Sequence, residues 1–328
     1  MLPVTYVINL DREPSRWKAA QHEIRRKFPA GLRIVKVPAV DGRNMESRRD
    51  PDWAKVAKGL CTLFCTPAQI SCAMSHLRTW KQFLDTTDKI AMVCEDDVSF
   101  IDEPEPVLMA ALREVPDDFD ILYAGCNECD YDQSKHTWWG SFLHLISNGR
   151  ASKQKLVSKH IYVPHIAFGT HCYLVSRKGA AKLSQLLQNH GLDMHIDFML
   201  NAKRDNVNMY AIHPKIASQQ CVLSASSIAE GKHPTLINMG LDKLIDRDGT
   251  SWAYKLTVPA WSVGEYLING WTFIILAIGL ASRMSGSYRK TSVSLLTLLI
   301  FVPDVLTNAV SVNMAVNMLL FLFITQRP

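Results

Sequence analysis

The chain has 328 residues, 48% apolar and 20% charged, with 36 Lys and Arg against 31 Asp and Glu. These values exclude a disordered chain, a collagen-like chain and a disulfide-dense miniprotein. The small positive balance forms no concentrated basic patch, so nucleic acid is not an expected partner. Arg25-Arg26-Lys27 and Arg48-Arg49 read as solvated faces.

Charge is unevenly spread. Leu256 to Pro328 holds four bases (Arg283, Arg289, Lys290, Arg327) and two acids (Glu265, Asp304). The first 255 residues hold 32 bases and 29 acids. The composition therefore divides the chain into a globular part, 1–255, and an apolar tail, 256–328.

Val4 to Leu10 reads as a buried first strand. Asp11 and Pro14 open a helix over Ser15–Phe28, with Trp17, Ile24 and Phe28 on one face. Leu32–Val40 is a second strand, closed by the turn pair Asp41-Gly42. Residues 43–66 are polar and irregular. Pro67–Leu84 is a helix, with Ile70, Met74, Leu77, Trp80 and Leu84 at helical spacing. A strand at Ile90–Cys94, a helix over 104–114 and a strand at Asp120–Ala124 follow. Residues 125–164 form a long polar and aromatic excursion of the kind that carries function. Ala167–Val175 is a strand, Lys178–Asn189 a helix and Met209–His213 a last short strand. Strands alternating with helices predict an α/β fold with a mostly parallel central sheet.

In the tail, Tyr266–Ser282 is 17 residues without a charge. Thr291–Val302 and Val305–Thr325 are also uncharged. Trp252, Tyr254, Trp261, Tyr266 and Tyr288 flank these runs as interfacial aromatics do. The expectation is a hydrophobic helical membrane segment, either spanning or lying in the interface. Asp304 then belongs at an interface or against protein, because a charge at mid-bilayer is costly. A helical subdomain packed on the globular part is the alternative. No signal peptide is apparent, and the eight cysteines read as buried free thiols of a reducing compartment. Both predict a cytoplasmic catalytic domain attached to a membrane. Cys126-Asn-Glu-Cys129 is a lone CxxC with no second half, a weak zinc signal.

Ligands of open α/β sheets bind at strand C-terminal ends. Two such ends are chemically loaded: Asn9-Leu10-Asp11-Arg12, with Arg16 one turn on, and Glu95-Asp96-Asp97. Three consecutive carboxylates repel one another and call for a cation. Hard oxygen ligands there suit Mg²⁺ or Mn²⁺ with a bound diphosphate. A helix-capping acidic turn is the structural alternative.

The ordered set is more specific: Val7-Ile-Asn-Leu-Asp-Arg12 with Arg16; Val37-Pro-Ala-Val-Asp-Gly-Arg43; Thr66-Pro-Ala-Gln-Ile-Ser-Cys-Ala-Met-Ser-His76 with Trp80; Val93-Cys-Glu-Asp-Asp-Val98; Gly169 to Leu183; and His195-Ile-Asp197. Over roughly residues 4–230 it closely resembles glycosyltransferase family 25, which includes lipopolysaccharide-type sugar transferases and collagen β-galactosyltransferases. Ser71 departs from the glycine usual in that family.

The resemblance implies a GT-A-type fold, a nucleotide-diphosphate sugar donor, Mn²⁺ or Mg²⁺, and transfer with inversion to a glycan or protein-linked hydroxyl. Glu95 and Asp97 would be metal ligands. Asn9, Asp11, Arg12, Arg16, Asp41, Ser75 and Asp96 would serve the donor. His76 would act at or support the donor site. Asp197, with Asp193 behind it, would be the base that takes the acceptor proton. Tyr173 reads as core. His213 and His233 are possible further ligands, and Trp138, Trp139 and Phe142 a possible acceptor platform. Two other functions stay open: an inactive glycan- or partner-binding member of the same fold, and another nucleotide-diphosphate-dependent α/β enzyme. The latter would need a Gly-rich, lysine-bearing phosphate loop, and no GxxxxGK[ST] occurs.

Overall fold

The structure is a computed structural model that describes residues 2–131, 154–192, 194–219, 234–246, 249–284, 289–307 and 310–325. Asp193, His233, Cys221, Trp138, Trp139 and Phe142 lie outside the described residues.

The chain forms two compact units, Met1–Thr62 with Pro67–Gln220, and Leu63–Thr66 with Cys221–Pro328. The second takes in the helices Thr235–Leu241 and Trp252–Thr257 as well as the apolar tail.

The first unit is built on an eight-stranded sheet. Its strands are β1 (Val4–Asn9), β2 (Ile34–Pro38), β3 (Ile90–Glu95), β5 (Ile121–Asn127), β6 (Lys155–Leu156), β7 (Ile161–Val163), β8 (Phe168–Ser176) and β9 (Met209–Ile212), in the order β2-β1-β3-β8-β5-β9-β7-β6. β4 (Val98–Phe100) pairs instead with β10 (Ala217–Gln219). The fold is α/β, as the alternation predicts, and the sheet is mixed. β1 pairs parallel with β2 and β3, and β5 with β9. β8 runs antiparallel between β3 and β5. Its N-terminal end, at Gly169 and Thr170, therefore lies beside the C-terminal ends of β3 and β5.

One face of the sheet carries α1 (Pro14–Lys27) and α5 (Pro104–Glu114). Ile24, Phe28, Leu108 and Ala111 join Met92, Leu122 and Leu174 in one core, with Trp17 packed on it. Short helices α2 (Pro51–Val56) and α3 (Cys61–Phe64) occupy part of the stretch that reads as irregular. α4 (Pro67–Leu84) has the predicted bounds and is buried on most of its circumference, packed against the helix Arg177–His190. Burial on most sides takes in the polar Gln69, Ser71, Ser75, His76 and Thr79 along with the apolar stripe.

Gly42 shows why the turn after β2 needs glycine. A Cβ there would lie 2.6 Å from the Pro67 carbonyl oxygen and 2.7 Å from Ser71 Oγ. Ser71 Oγ donates to the Pro67 carbonyl at 2.6 Å. The hydroxyl that Ser71 adds is accommodated only because residue 42 has no side chain.

The cysteine reading is corrected. Cys126 and Cys129 form a disulfide, and Cys61 and Cys65 are disulfide-bonded too. Cys72, Cys94 and Cys172 are free. The thiol argument for a reducing compartment thereby lapses.

The spanning reading is corrected as well. No helix among the described residues is long and apolar enough to cross a membrane. The uncharged run from Tyr266 begins as a hairpin, Trp261–Val263 with Tyr266–Ile268, so its helix is only Gly270–Met284, 15 residues. At ~1.5 Å per residue that helix reaches about 22 Å, short of a ~30 Å hydrocarbon core. The last helix, Val312–Thr325, has 14 residues. Asp304 is fully buried and accepts the Thr235 backbone N–H at 2.6 Å, so it packs against protein. Ile275, Ile300, Phe301 and Phe321 build a second core, while Leu298, Leu306, Leu319 and Phe323 are exposed.

Gly42→Ala is expected to destabilise the first unit by about 1–3 kcal/mol through overpacking against backbone. Urea unfolding checks this, and an unchanged midpoint would show that the turn and α4 can separate freely.

Candidate active site

The site is assembled at one edge of the sheet. β1, β2 and β3 end there together because they run parallel, and β8 begins there because it does not. Glu95 ends β3, and Asp96 and Asp97 form the tight turn into β4.

Each carboxylate has a different environment. Asp96 Oδ2 accepts from Asn9 Nδ2 at 2.6 Å, and Asp96 Oδ1 is ion-paired with Arg16. Arg16 also reaches Asp97 Oδ2 at 3.0 Å, where Gln219 Nε2 donates at 2.9 Å. Asp97 Oδ1 is buried and has no hydrogen-bond partner among the described residues. Glu95 Oε1 accepts from the Thr170 hydroxyl at 3.0 Å and lies 3.6 Å from His76 Nε2.

The electrostatics follow. Burial, then the neighbouring Glu95 charge, pushes Asp97 up to about 7 against the pull of Arg16 and Gln219. Burial also raises Asp96, opposed by Arg16 and Asn9. Burial would raise Glu95, but the His76 ring and the Thr170 hydroxyl hold it below its ordinary value. His171, itself lowered by burial to about 4, stays neutral at pH 7. The corner carries more negative charge than its protein partners offset, which is the setting for a cation.

Behind the corner lies a buried polar chain. His76 Nδ1 and the Tyr173 hydroxyl share a hydrogen bond of 2.9 Å, and Trp80 Nε1 donates to the same hydroxyl at 2.8 Å. Tyr173 is core, as its strand position predicts, but its hydroxyl is the hinge of this chain. Asp197 lies in the first turn of the helix Ile196–Ala202. Its Oδ2 accepts the Gly169 backbone N–H at 2.8 Å, and its Oδ1 accepts the Phe198 N–H at 2.8 Å. Gly169 has φ +80°, a backbone state that favours glycine, and this aims its N–H at Asp197.

Other residues singled out by sequence lie differently. Arg12 pairs with Asp41, which also accepts the Arg43 N–H at 3.0 Å and links the loops after β1 and β2. Burial opposes ionisation of Asp41, yet Arg12 and the Arg43 amide hold its carboxyl below the ordinary range. Asp11 is exposed and paired with Lys36 at 2.7 Å. Ser75 is buried. It accepts the Val40 N–H at 2.9 Å and donates to the Ser71 carbonyl, so it ties α4 to the β2 loop. His213 has ring contacts with Tyr131 and Tyr162. Sequence reasoning passed over Cys72, Thr170 and Gln219. Cys72 had a signal, its spacing of one helical turn from His76. Gln219 had none, because it reaches Asp97 only through the β4–β10 pairing.

The profile described as Glycosyltransferase family 25 (LPS biosynthesis protein) matches residues 2–200. The chain belongs to glycosyltransferase family 25. Asn9, His76, Glu95, Asp96, Asp97 and Asp197 all fall inside the matched stretch. Mouse (Mus musculus) procollagen galactosyltransferase 2 is 25% identical over 128 residues, 37% of this chain and 20% of that protein. The chain thus matches about a fifth of that relative's length. A solved structure of mouse xyloside xylosyltransferase 1 in its apo form aligns over 65% of this chain and 83% of that one, with 11% identity and a TM-score of 0.32. A likeness that low has no weight for fold or substrate.

Asp97 gives a pH prediction. Its folded value, about 7, lies above the ~3.9 of an unfolded carboxylate. Between the two, the unfolded state binds fewer protons, so stability falls as pH rises from about 4 to about 7. Asp97→Asn should lessen that fall and raise the metal-free Tm at pH 8 by a few degrees. Calorimetry across pH in EDTA checks it, and identical pH profiles would remove the buried-charge assignment.

Proposed function

We propose that this glycosyltransferase moves a sugar from a nucleotide-diphosphate sugar to a glycan or protein-linked hydroxyl, with inversion, at the Glu95–Asp97 corner of a GT-A-type catalytic domain in residues 1–255. The observation that carries the reading is the buried Oδ1 of Asp97, without a hydrogen-bond partner among the described residues, beside Glu95 in a turn whose charge is incompletely offset. Those hard oxygens fit Mn²⁺ or Mg²⁺, held by Asp97 with Glu95. When bound, the ion would stabilise negative charge on the leaving nucleotide diphosphate.

The chain's own residues supply the rest. Arg16 and Asn9 fix Asp96, so that turn is held before donor arrives. The Arg12–Asp41 pair bridges the two loops beside the nucleotide. Ser75 holds α4 to one of those loops, and His76 Nε2 stands 3.6 Å behind Glu95 Oε1. Asp197 is the proposed base. Two backbone amides orient its carboxylate, and each oxygen keeps a lone pair to take the acceptor proton as the hydroxyl attacks C1.

We further propose that the tail lies in the membrane interface rather than across it. Its short helices expose Leu298, Leu306, Leu319 and Phe323, the apolar face that an in-plane anchor buries. Full-length protein should sediment with phosphatidylcholine vesicles, and a Leu319→Asp, Phe323→Asp double variant should remain largely in the supernatant. Equal sedimentation of both would overturn the anchor.

The transfer reading is tested by a donor screen with and without Mn²⁺, scoring nucleotide diphosphate released. Asp97→Ala should abolish release, and EDTA should do the same to the unaltered chain. Full activity in either would remove the metal assignment. Asp197→Asn should lower turnover by about 10²–10⁴ with donor affinity little changed. A collapse of donor affinity instead would assign Asp197 to the donor site.

A further inference from the structure

Cys72 and His76 are one turn apart on α4 and face the end of β3. Cys72 Sγ, a His76 ring nitrogen and a Glu95 carboxylate oxygen lie within 4.8 Å of one another. His76 is 1% exposed, and its Nε2 has no hydrogen-bond partner among the described residues. Its nearest carboxylate oxygen, Glu95 Oε1, is 3.6 Å away. That is too long for a good N–H···O bond, whose range is about 2.7–3.2 Å. It does match the spacing of two ligands on one tetrahedral ion with bonds of ~2.0–2.3 Å, which is roughly 3.3–3.8 Å.

We propose that Cys72, His76 and Glu95 form a second cation site, containing a thiolate and suited to a borderline divalent ion such as Zn²⁺. It shares Glu95 with the donor-metal reading and otherwise stands apart from it. The ligand chemistry differs: sulfur and imidazole favour zinc, whereas the Asp97 side is all oxygen and favours Mn²⁺ or Mg²⁺. Three protein ligands leave one position for water. Ligating histidines donate their other N–H to a fixed acceptor, and the Tyr173 hydroxyl at 2.9 Å from Nδ1 provides one. The thiol is otherwise inert here, because burial and the charges of Glu95, Asp197 and Asp97 oppose its ionisation. Metal binding replaces the Cys72 S–H bond with a metal–sulfur bond and releases that proton to solvent. The ion would cross-link α4 to the end of β3 and so fix the corner from behind.

The test uses the full chain, stripped by chelator and given Zn²⁺ alone. X-ray absorption should show one sulfur scatterer at about 2.3 Å together with nitrogen and oxygen at about 2.0–2.2 Å. A shell of nitrogen and oxygen only, or no retained zinc, would overturn the site. Substitution with Co²⁺ should give a thiolate charge-transfer band in the near ultraviolet that Cys72→Ser abolishes and His76→Gln shifts. A band that survives in folded Cys72→Ser places the sulfur elsewhere and overturns the assignment. The two metal readings fail separately. A sulfur shell with no Mn²⁺-dependent donor cleavage sinks only the donor reading, and Mn²⁺-dependent cleavage without a sulfur shell sinks only this one.

Discussion

Three consecutive carboxylates share one turn of this protein, and their mutual repulsion in a partly buried corner is the constraint that the surrounding structure meets. Like charges a few ångströms apart in a low-dielectric setting cannot all ionise without compensation. The fold supplies it piecemeal, from five elements: Asn9 from β1, Arg16 from α1, His76 from α4, Thr170 from β8 and Gln219 from β10. The compensation is incomplete at Asp97, and the proposed donor metal would use that shortfall. A fully neutralised corner would gain stability and hold no cation.

The corner is fixed from behind as well as from its flanks. Trp80, Tyr173 and His76 form a chain of buried polar groups that stops 3.6 Å short of Glu95. Such chains are favourable only when every member is satisfied. Among the described residues, the open atom of this chain is His76 Nε2, and it faces Glu95. The same helix carries Ser75, whose hydroxyl holds the β2 loop, and Gly42 lets that loop meet α4 at backbone contact. One helix therefore sets both the acidic turn and the loop that bears Asp41.

Much of this was legible from sequence. α4 was readable to its last residue because a long amphipathic period with proline at its start has few alternatives. The acidic turn was legible because three adjacent acids follow an apolar strand inside an ordered set of motifs, although a helix-capping turn explained the triplet alone equally well. The roles of Asp11 and Ser75 were less so. Both sit inside informative motifs, but Asp11 turns outward to Lys36 and Ser75 turns inward to backbone. Motif position does not decide which way a side chain faces. The tail shows the same limit. Hydropathy marks Tyr266–Ser282 as one run, whereas the hairpin at 261–268 takes its first residues and leaves a helix too short to span.

The sequence by itself determined the α/β alternation, the family and the acids at the end of β3, because periodicity and local charge are properties of neighbours in the chain. Tertiary structure alone decided the direction of β8, and the site depends on it. An antiparallel β8 presents its first residues where β3 ends, so Gly169 meets Asp197 and Thr170 meets Glu95. A parallel β8 would put them at the opposite edge of the sheet. The direction is not written in β8 itself, since a strand buried on both faces reads alike either way. It follows from pairings made across 75 residues or more, such as Thr170 with Glu95, which no local pattern encodes.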